Sequence, residues 1–289
     1  MAKRSNTTTE RRIERWAKDG RGQGVGRDYK PWLTIQDVPS LGRSHRVLGQ
    51  KTGRLHHMLS DIEYGHFIIF DSSDDVADIR EQFPLDRDET LNIATDLGVR
   101  HPRAPRSPTY EVMTTDFLIT ICKGGLTTLV AFAIKPSDRL GARYIRIREK
   151  LKIEKRYWEA RGVKWVLSTE KKLPKTLVRN IQWVRPAFDV SLFEQTTEAS
   201  FTTLAKSLID SLTKSSSNKP LNKFCQDLDR ADGFELGTYL GVARHLFAHK
   251  CLTMDFHRPH PWSAPIDSIE LLSSLPHAIE IVGQTRSDR

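Results

Sequence analysis

Three residues have the types and spacing from which phosphodiester hydrolysis can be built: Glu63, Asp116 and Lys135. Cleaving that bond calls for hard oxygen donors that hold a divalent cation, and for a positive charge near the attacking water or the scissile phosphate. Glu63 falls in the first turn of a helix expected to begin near Ser60. Asp116 interrupts an apolar, β-branched run, and Lys135 ends the next such run. Between the two runs, Lys123-Gly124-Gly125 reads as a tight hairpin turn, which brings Asp116 and Lys135 to the same end of adjacent strands.

Each residue also has a plainer role. Ser60-Asp61-Ile62-Glu63 is a capping box, so Glu63 could simply close a helix. Asp116 could be a buried carboxylate with a private partner, since burial without one is costly. Lys135 precedes Pro136 at a strand end, where solvated lysines are common. It is their joint placement that favours chemistry.

The elements that would position them follow from periodicity and punctuation. Residues 8–19 read as a short basic helix. The stretch 20–32, with four alternating glycines, reads as a mobile loop. It lacks the Gly-Lys-Ser/Thr of a phosphate-binding loop and the preceding strand of a dinucleotide fingerprint. It either follows a phosphate backbone or is a solvated linker. A helix from Ser60 with Ile62, Phe67, Ile69 and Phe70 inward, a strand at 76–85, a Pro- and Arg-rich loop at 100–109 and the hairpin at 113–136 come next. A basic helix at 138–161, a strand at 164–169 and a helix at 173–184 complete an α/β fold, a mixed sheet flanked by helices. Composition shifts near Arg185-Pro186. Helices at 189–215, 219–232 and 234–250 and a strand at 251–256 suggest a mainly helical, winged-helix-like domain. The expected divisions are a basic arm at 1–50, a catalytic domain at 51–186 and a C-terminal domain at 187–289.

The 289 residues carry a net charge of +9. Residues 1–60 hold thirteen Lys/Arg against five Asp/Glu, so the excess is concentrated there. Such a balance points to polyanions, nucleic acid above all. The candidate DNA contacts are Arg21, Arg27, Lys30, Arg43, Arg46 and Arg54, with Arg143 and Arg146 on the basic helix, where Arg139, Arg143, Arg146 and Lys150 would form one stripe. A charge-dense solvated face explains that stripe equally well. Three cysteines make no disulfide framework, no run is long enough for a membrane span, and the N-terminus has no apolar signal core, so a cytoplasmic protein is expected. His245, His249, Cys251, His257, His260 and Cys225 invite a zinc site, but no tight ligand pattern completes it, and ordinary structural roles are expected. His56-His57 is expected at a DNA-facing surface at best.

An acid, a strand, a turn, a strand and a lysine form the arrangement of the restriction-endonuclease-like superfamily. More specifically, the chain resembles the TnsA-type endonuclease subunits of heteromeric bacterial cut-and-paste transposases. The matching segments are GRGQGVGRDYKPWLTIQDVPSLGRSHR (20–46), KTGRLHHMLSDIEYGHF (51–67), VADIREQFPL (76–85), VMTTDFLI (112–119), FAIKP (132–136) and EKRYWEARGVKWVL (154–167). The resemblance implies a catalytic set of Glu63, Asp116 and Lys135, with the carboxylates on metal and the lysine serving the nucleophilic water. It implies a metal contact from the backbone carbonyl of Ala133, where relatives carry Gln and most of the superfamily an acid. Glu149 is a further candidate for a metal or water contact, a surface ion pair being its alternative. The resemblance also implies Mg²⁺, with Mn²⁺ as a substitute and two ions per site. It implies cleavage at the 5′ ends of a transposon in double-stranded DNA, a DDE transposase partner for the other strand, and a regulatory ATPase reached through the C-terminal region. A restriction or junction-resolving nuclease and a catalytically silent DNA-binding scaffold remain the alternatives.

Overall fold

The computed structural model describes residues 8–38, 42–105, 107–189 and 198–272. The chain divides into two compact units, Met1–Leu173 and Pro174–Arg289.

In the first unit, helix α1 (Glu10–Lys18) starts at Thr9, whose hydroxyl accepts a hydrogen bond from the Arg12 N–H. The helix buries Trp16. Arg12 and Arg21 lie over that ring, 4.6 and 4.5 Å from its centroid, and both are paired with Asp37. The glycine-rich stretch is not the loose loop expected. It folds back on itself, with Gly22 N–H donating to the Lys30 carbonyl at 2.6 Å and Lys30 N–H donating to the Gln23 carbonyl at 3.1 Å. Gly22 sits at φ +79°, and a Cβ there would stand 2.2 Å from the Pro84 ring.

An antiparallel ribbon of β1 (His45–Leu48) and β2 (Leu55–Met58) follows, neither of them expected from the sequence. Helix α2 (Asp61–Ser72) begins where Ser60 predicts. Strand β3 (Val76–Pro84) precedes a second unexpected element, helix α3 (Arg87–Asp96), capped by Asp86, whose carboxylate accepts from the Glu89 N–H at 2.9 Å. The hairpin is β4 (Thr114–Lys123) and β5 (Leu126–Ile134). Helix α4 (Ile145–Glu159) and strand β6 (Lys164–Ser168) close the unit. The sheet order is β3-β4-β5-β6, with two antiparallel pairs and a parallel β5–β6 pair, so the sheet is mixed. Phe70 of α2 packs on Phe117 and Phe132, with ring centroids 5.5 and 4.8 Å away. On the opposite face Ile153, Tyr157 and Trp158 of α4 pack with Leu118 and Ala131. Adjacent strand residues face opposite sides, so helices cover both faces of the sheet.

The basic helix is shorter than expected. It starts at Ile145 rather than 138, because Pro136 and Gly141 oppose a continuous helix and Ser137–Arg139 form only a tight 3₁₀ turn. Arg139 and Arg143 therefore precede the helix, and helical periodicity does not carry a stripe from Arg146 and Lys150 on to them.

The ladder is interrupted at one place. Strands β3 and β4 pair at Glu81↔Phe117 and at Phe83↔Thr115, skipping Gln82 and Asp116, and Gln82 has φ +48°. The β4–β5 ladder ends at Phe117↔Phe132, one residue short of Asp116. Asp116 stands in a gap on both sides, which frees its side chain and its neighbours' peptide groups for other bonds.

The second unit contains α5 (Lys175–Val184), α6 (Glu198–Lys214), α7 (Leu221–Ala231) and α8 (Thr238–Ala248), around Phe201, Leu208, Tyr239 and Leu246. It is mainly helical, as expected. Residues 190–197 of the helix expected at 189–215 lie outside the described residues. The strand expected at 251–256 is only a two-residue pairing of β7 (Leu252–Thr253) with β8 (Glu270–Leu271). The buried Asp229 accepts from the Gly237 and Tyr239 N–H groups and so fixes the start of α8. Among the described residues, no helix is long and apolar enough to cross a membrane.

Candidate active site

Glu63 enters the site from the first turn of α2. The Ser60 hydroxyl accepts from the Glu63 N–H at 3.2 Å and donates to Glu63 Oε1 at 2.9 Å, while the Leu59 N–H donates to Oε2 at 3.0 Å. Capping and placement are one arrangement here, because the cap fixes the direction of the carboxylate. Gln82 Nε2 approaches Oε2 at 3.5 Å, and Gln82 Oε1 accepts from the Thr114 hydroxyl. The residue at the ladder gap thus ties β3 and β4 to the acid on α2.

Asp116 Oδ2 accepts from the Ile134 N–H at 2.6 Å and from Lys135 Nζ at 2.7 Å. Lys135 Nζ also donates to the Ile134 carbonyl at 3.0 Å. The carboxylate takes over a β5 donor that the ended ladder leaves unpaired, and the same carboxylate anchors the ammonium. The structure thus brings Glu63, Asp116 and Lys135 together, and their charges act on one another. Burial, then the Asp116 charge, push the Glu63 carboxyl up to about 7. Burial works against the Lys135 ammonium, but Asp116 and Glu154 outweigh it and hold its pKa above the ordinary lysine range.

Ala133 and Glu149, also expected near a metal, have other neighbours. Lys135 N–H donates to the Ser168 carbonyl of β6 in the register Ile134↔Ser168. Alternate residues of a strand direct their peptide groups to the same edge, so Ala133 is turned toward β6, and the carbonyl beside Lys135 is that of Ile134. Glu149 lies on the partly exposed side of α4 in an ion pair with Arg146. The acid that α4 contributes is Glu154. It is 4% exposed, and its Oε1 accepts from the Thr115 hydroxyl at 3.0 Å, which in turn accepts from Trp158 Nε1. Burial and the Asp116 charge raise Glu154 to about 7. Its signal was present in the sequence: it is an acid on the apolar stripe of α4, three residues after Leu151 and four before Trp158. Asp116, Lys135 and Glu154 share a cavity of about 620 Å³ with Trp16, Trp32 and Lys150.

These residues fit a divalent cation. Glu63, Asp116 and Glu154 are buried carboxylates facing one ammonium, and two of them resist ionising, a conflict that a dication relieves. Among the described residues no three of His, Cys, Asp and Glu stand close enough for a complete protein cage.

The predicted basic contacts are dispersed. Arg54 is buried, with both terminal nitrogens on Glu81, and Arg21 is committed to Asp37 and the Trp32 carbonyl, so neither is presented to a ligand. Arg43 pairs with Asp61, and Lys30 donates to the Asp19 carbonyl. Arg27 and Arg46 are exposed. Arg143 lies over the Tyr144 ring. His56 is fully buried between Glu81 and Thr52, not on a surface. His245 and His249 bond the Ala187 and Phe188 carbonyls, the ordinary roles expected of them.

A mixed sheet carrying acids from two strand-flanking helices, an aspartate and a lysine at a hairpin's open end defines a DNA-cleaving hydrolase of the restriction-endonuclease-like class. Residues 73–170 match the family model of the TnsA-like endonuclease N-terminal domain, and residues 173–256 match that of the TnsA endonuclease C-terminal domain. The chain is 38% identical over 259 residues, 89% of its length and 90% of the relative's, to the transposon Tn7 transposition protein TnsA of Escherichia coli. The chain belongs to the TnsA endonuclease family. Asp116, Lys135 and Glu154 all fall within the N-terminal match.

Proposed function

We propose that this chain cuts the 5′-strand at each transposon end by divalent-metal-dependent hydrolysis. The supporting observation is the convergence of Glu63, Asp116 and Lys135 where the sheet ladder opens. Glu63 and Asp116 would hold Mg²⁺, or Mn²⁺ in its place, with two ions per site at full loading. The bound ion supplies polarisation of the scissile phosphate and acidification of a coordinated water. Lys135 acts as a cation rather than a base, because Asp116 and Glu154 favour its charged form. It stabilises charge developing on the phosphate and orients the water. The Ile134 N–H holds Asp116 in place throughout. Glu154 is braced by the Thr115 hydroxyl and, when ionised, favours the charged form of Lys135.

The substrate is double-stranded transposon-end DNA, and the products carry 3′-hydroxyl and 5′-phosphate ends. A DDE transposase subunit cuts the other strand, and a regulatory ATPase docks on the C-terminal region. The relative's role in transposition supports this reading. The three cysteines form no disulfide, which suits a reducing cytoplasm.

The test is cleavage of end-labelled transposon-end DNA with Mg²⁺ and the partner transposase, comparing wild type with Asp116→Ala. Loss of 5′-strand cuts with 3′-strand cuts retained is expected. Equal cutting of both strands by the variant would make Asp116 structural and the chain a scaffold.

A further inference from the structure

We propose that a second cavity, beside the catalytic cleft, is a docking site for a backbone phosphate of the bound DNA strand. This rests on the reading of duplex DNA as substrate. The cavity has a volume of about 590 Å³, and Arg100, Arg103 and Arg146 line it together with His101 and Tyr110. No Asp or Glu is among the lining residues. Among the described residues, neither Arg100 nor Arg103 takes part in an ion pair. Glu149 offsets part of the charge of Arg146 only.

The walls are held in place before any ligand arrives. Arg103 lies 4.5 Å over the Tyr110 ring and donates to its hydroxyl at 2.5 Å. Arg146 donates to the Arg100 carbonyl at 3.0 Å. His101 is fixed between the Pro102 carbonyl and the Thr90 hydroxyl. Burial above all, with the charges of Lys150, Arg87 and Arg146, keeps its imidazole below the ordinary range against the opposing bond to the Pro102 carbonyl. A pre-organised concave group of guanidinium ions matches the geometry of phosphate oxygens.

Position points to a strand already in the active site. Arg146 lines this cavity, while Lys150 and Glu154, further along α4, line the catalytic cleft. Arg146 and Glu154 are separated by about 12 Å of helix, within the reach of a few nucleotides of one bound strand. The segment carrying Arg100 and Arg103 also walls the cleft through Pro102 and Pro105. Contacts of this kind set register and orientation rather than sequence.

The test is binding of a labelled duplex to the full chain by fluorescence anisotropy, in EDTA, over a range of salt. Wild type would be compared with Arg100→Gln/Arg103→Gln, with Arg103→Lys, and with Lys206→Gln/Lys214→Gln, which removes equal charge from the second unit. The arginine pair should lower the slope of log affinity against log salt by about 1, with about tenfold weaker binding at low salt. Arg103→Lys should keep most of the slope, and the lysine pair should leave it unchanged. An unchanged slope in the arginine pair, an equal change in the lysine pair, or no duplex binding by wild type would overturn the assignment. Titration with pyrophosphate separates the sources. Tight binding that the arginine pair abolishes, without any change in DNA slope, would mean a small-anion site and would also overturn it. Because EDTA prevents cleavage, this result is independent of the Asp116→Ala cleavage assay, which alone decides the nuclease reading.

Discussion

Lys135 Nζ stands 2.7 Å from Asp116 Oδ2, and the N–H of Ile134 reaches the same oxygen at 2.6 Å. One oxygen therefore anchors both the backbone and the ammonium, and Oδ1 lies outside both bonds. Asp116→Asn keeps the volume and an acceptor for Ile134 but loses the charge that holds Lys135 and any cation. Single-turnover cleavage should fall at least about 10³-fold, and Lys135→Met should cost about 10²- to 10³-fold. Both variants should still unfold cooperatively. Retention of near-wild-type rates by either one would remove that residue from the chemistry.

The pair was legible in the sequence because a short turn made it local: Lys123-Gly124-Gly125 fixes which strand positions face each other. For Glu63 the capping box predicts only the start of α2, and the catalytic role comes from the resemblance. Charge alone does not reveal burial. Arg54 looked like a DNA contact, yet its partner Glu81 is 27 residues away and is brought to it only by the fold. Glu154 lies on the same face of α4 as Leu151 and Trp158, where an acid is easily read as a break in the apolar stripe, while Glu149 stands among solvated charges. Helix α3 had a readable start in Asp86 and Glu89, a capping pattern followed by too few apolar residues to stand out. The β1–β2 ribbon left no alternation strong enough to compete with its polar surroundings.

Gly22 offers a test of how the arm supports the cleft. Its φ of +79° and the approach of Pro84 leave no room for a side chain. Alanine there would displace the loop from the end of β3, where Trp32 N–H donates to the Gln82 carbonyl. Gly22→Ala should destabilise the chain by about 1–3 kcal/mol. Urea unfolding with an unchanged m-value would record it. A midpoint equal to that of wild type would show that the loop yields freely.

Glu154 makes a prediction about pH. Its carboxyl rises from 4.5 to about 7 on folding, through burial first and the Asp116 charge second. The folded state therefore holds a proton that the unfolded state has lost between those values. Stability falls as pH rises through that window, by up to about 3 kcal/mol. Glu154→Gln removes the penalty and can still accept from the Thr115 hydroxyl. In EDTA, the variant should be more stable than wild type at pH 8 and close to it at pH 4.5, by thermal or urea unfolding. A constant difference across that range would show that Glu154 does not titrate there.

Glu81 should behave in the opposite sense. Burial opposes its ionisation, but hydrogen bonds from Arg54 and His56 prevail and hold it at about 2, against 4.5 when unfolded. Its contribution is present above 4.5 and is lost as pH falls through about 2, a change of about 3 kcal/mol. Its carboxylate joins β2 to β3, because Arg54 donates to both of its oxygens and the His57 N–H donates to Oε1. Tyr29 ties the glycine-rich arm to the same point by donating to the Glu81 carbonyl. Glu81→Gln would leave the Arg54 guanidinium buried without its counter-charge, at a cost of about 3–5 kcal/mol near pH 7. The difference from wild type should shrink steadily as the pH is lowered below 4.5, because wild type loses what the variant never had. Urea midpoints measured between pH 7 and pH 3 decide it: a gap that stays constant would mean that Glu81 acts through packing rather than charge.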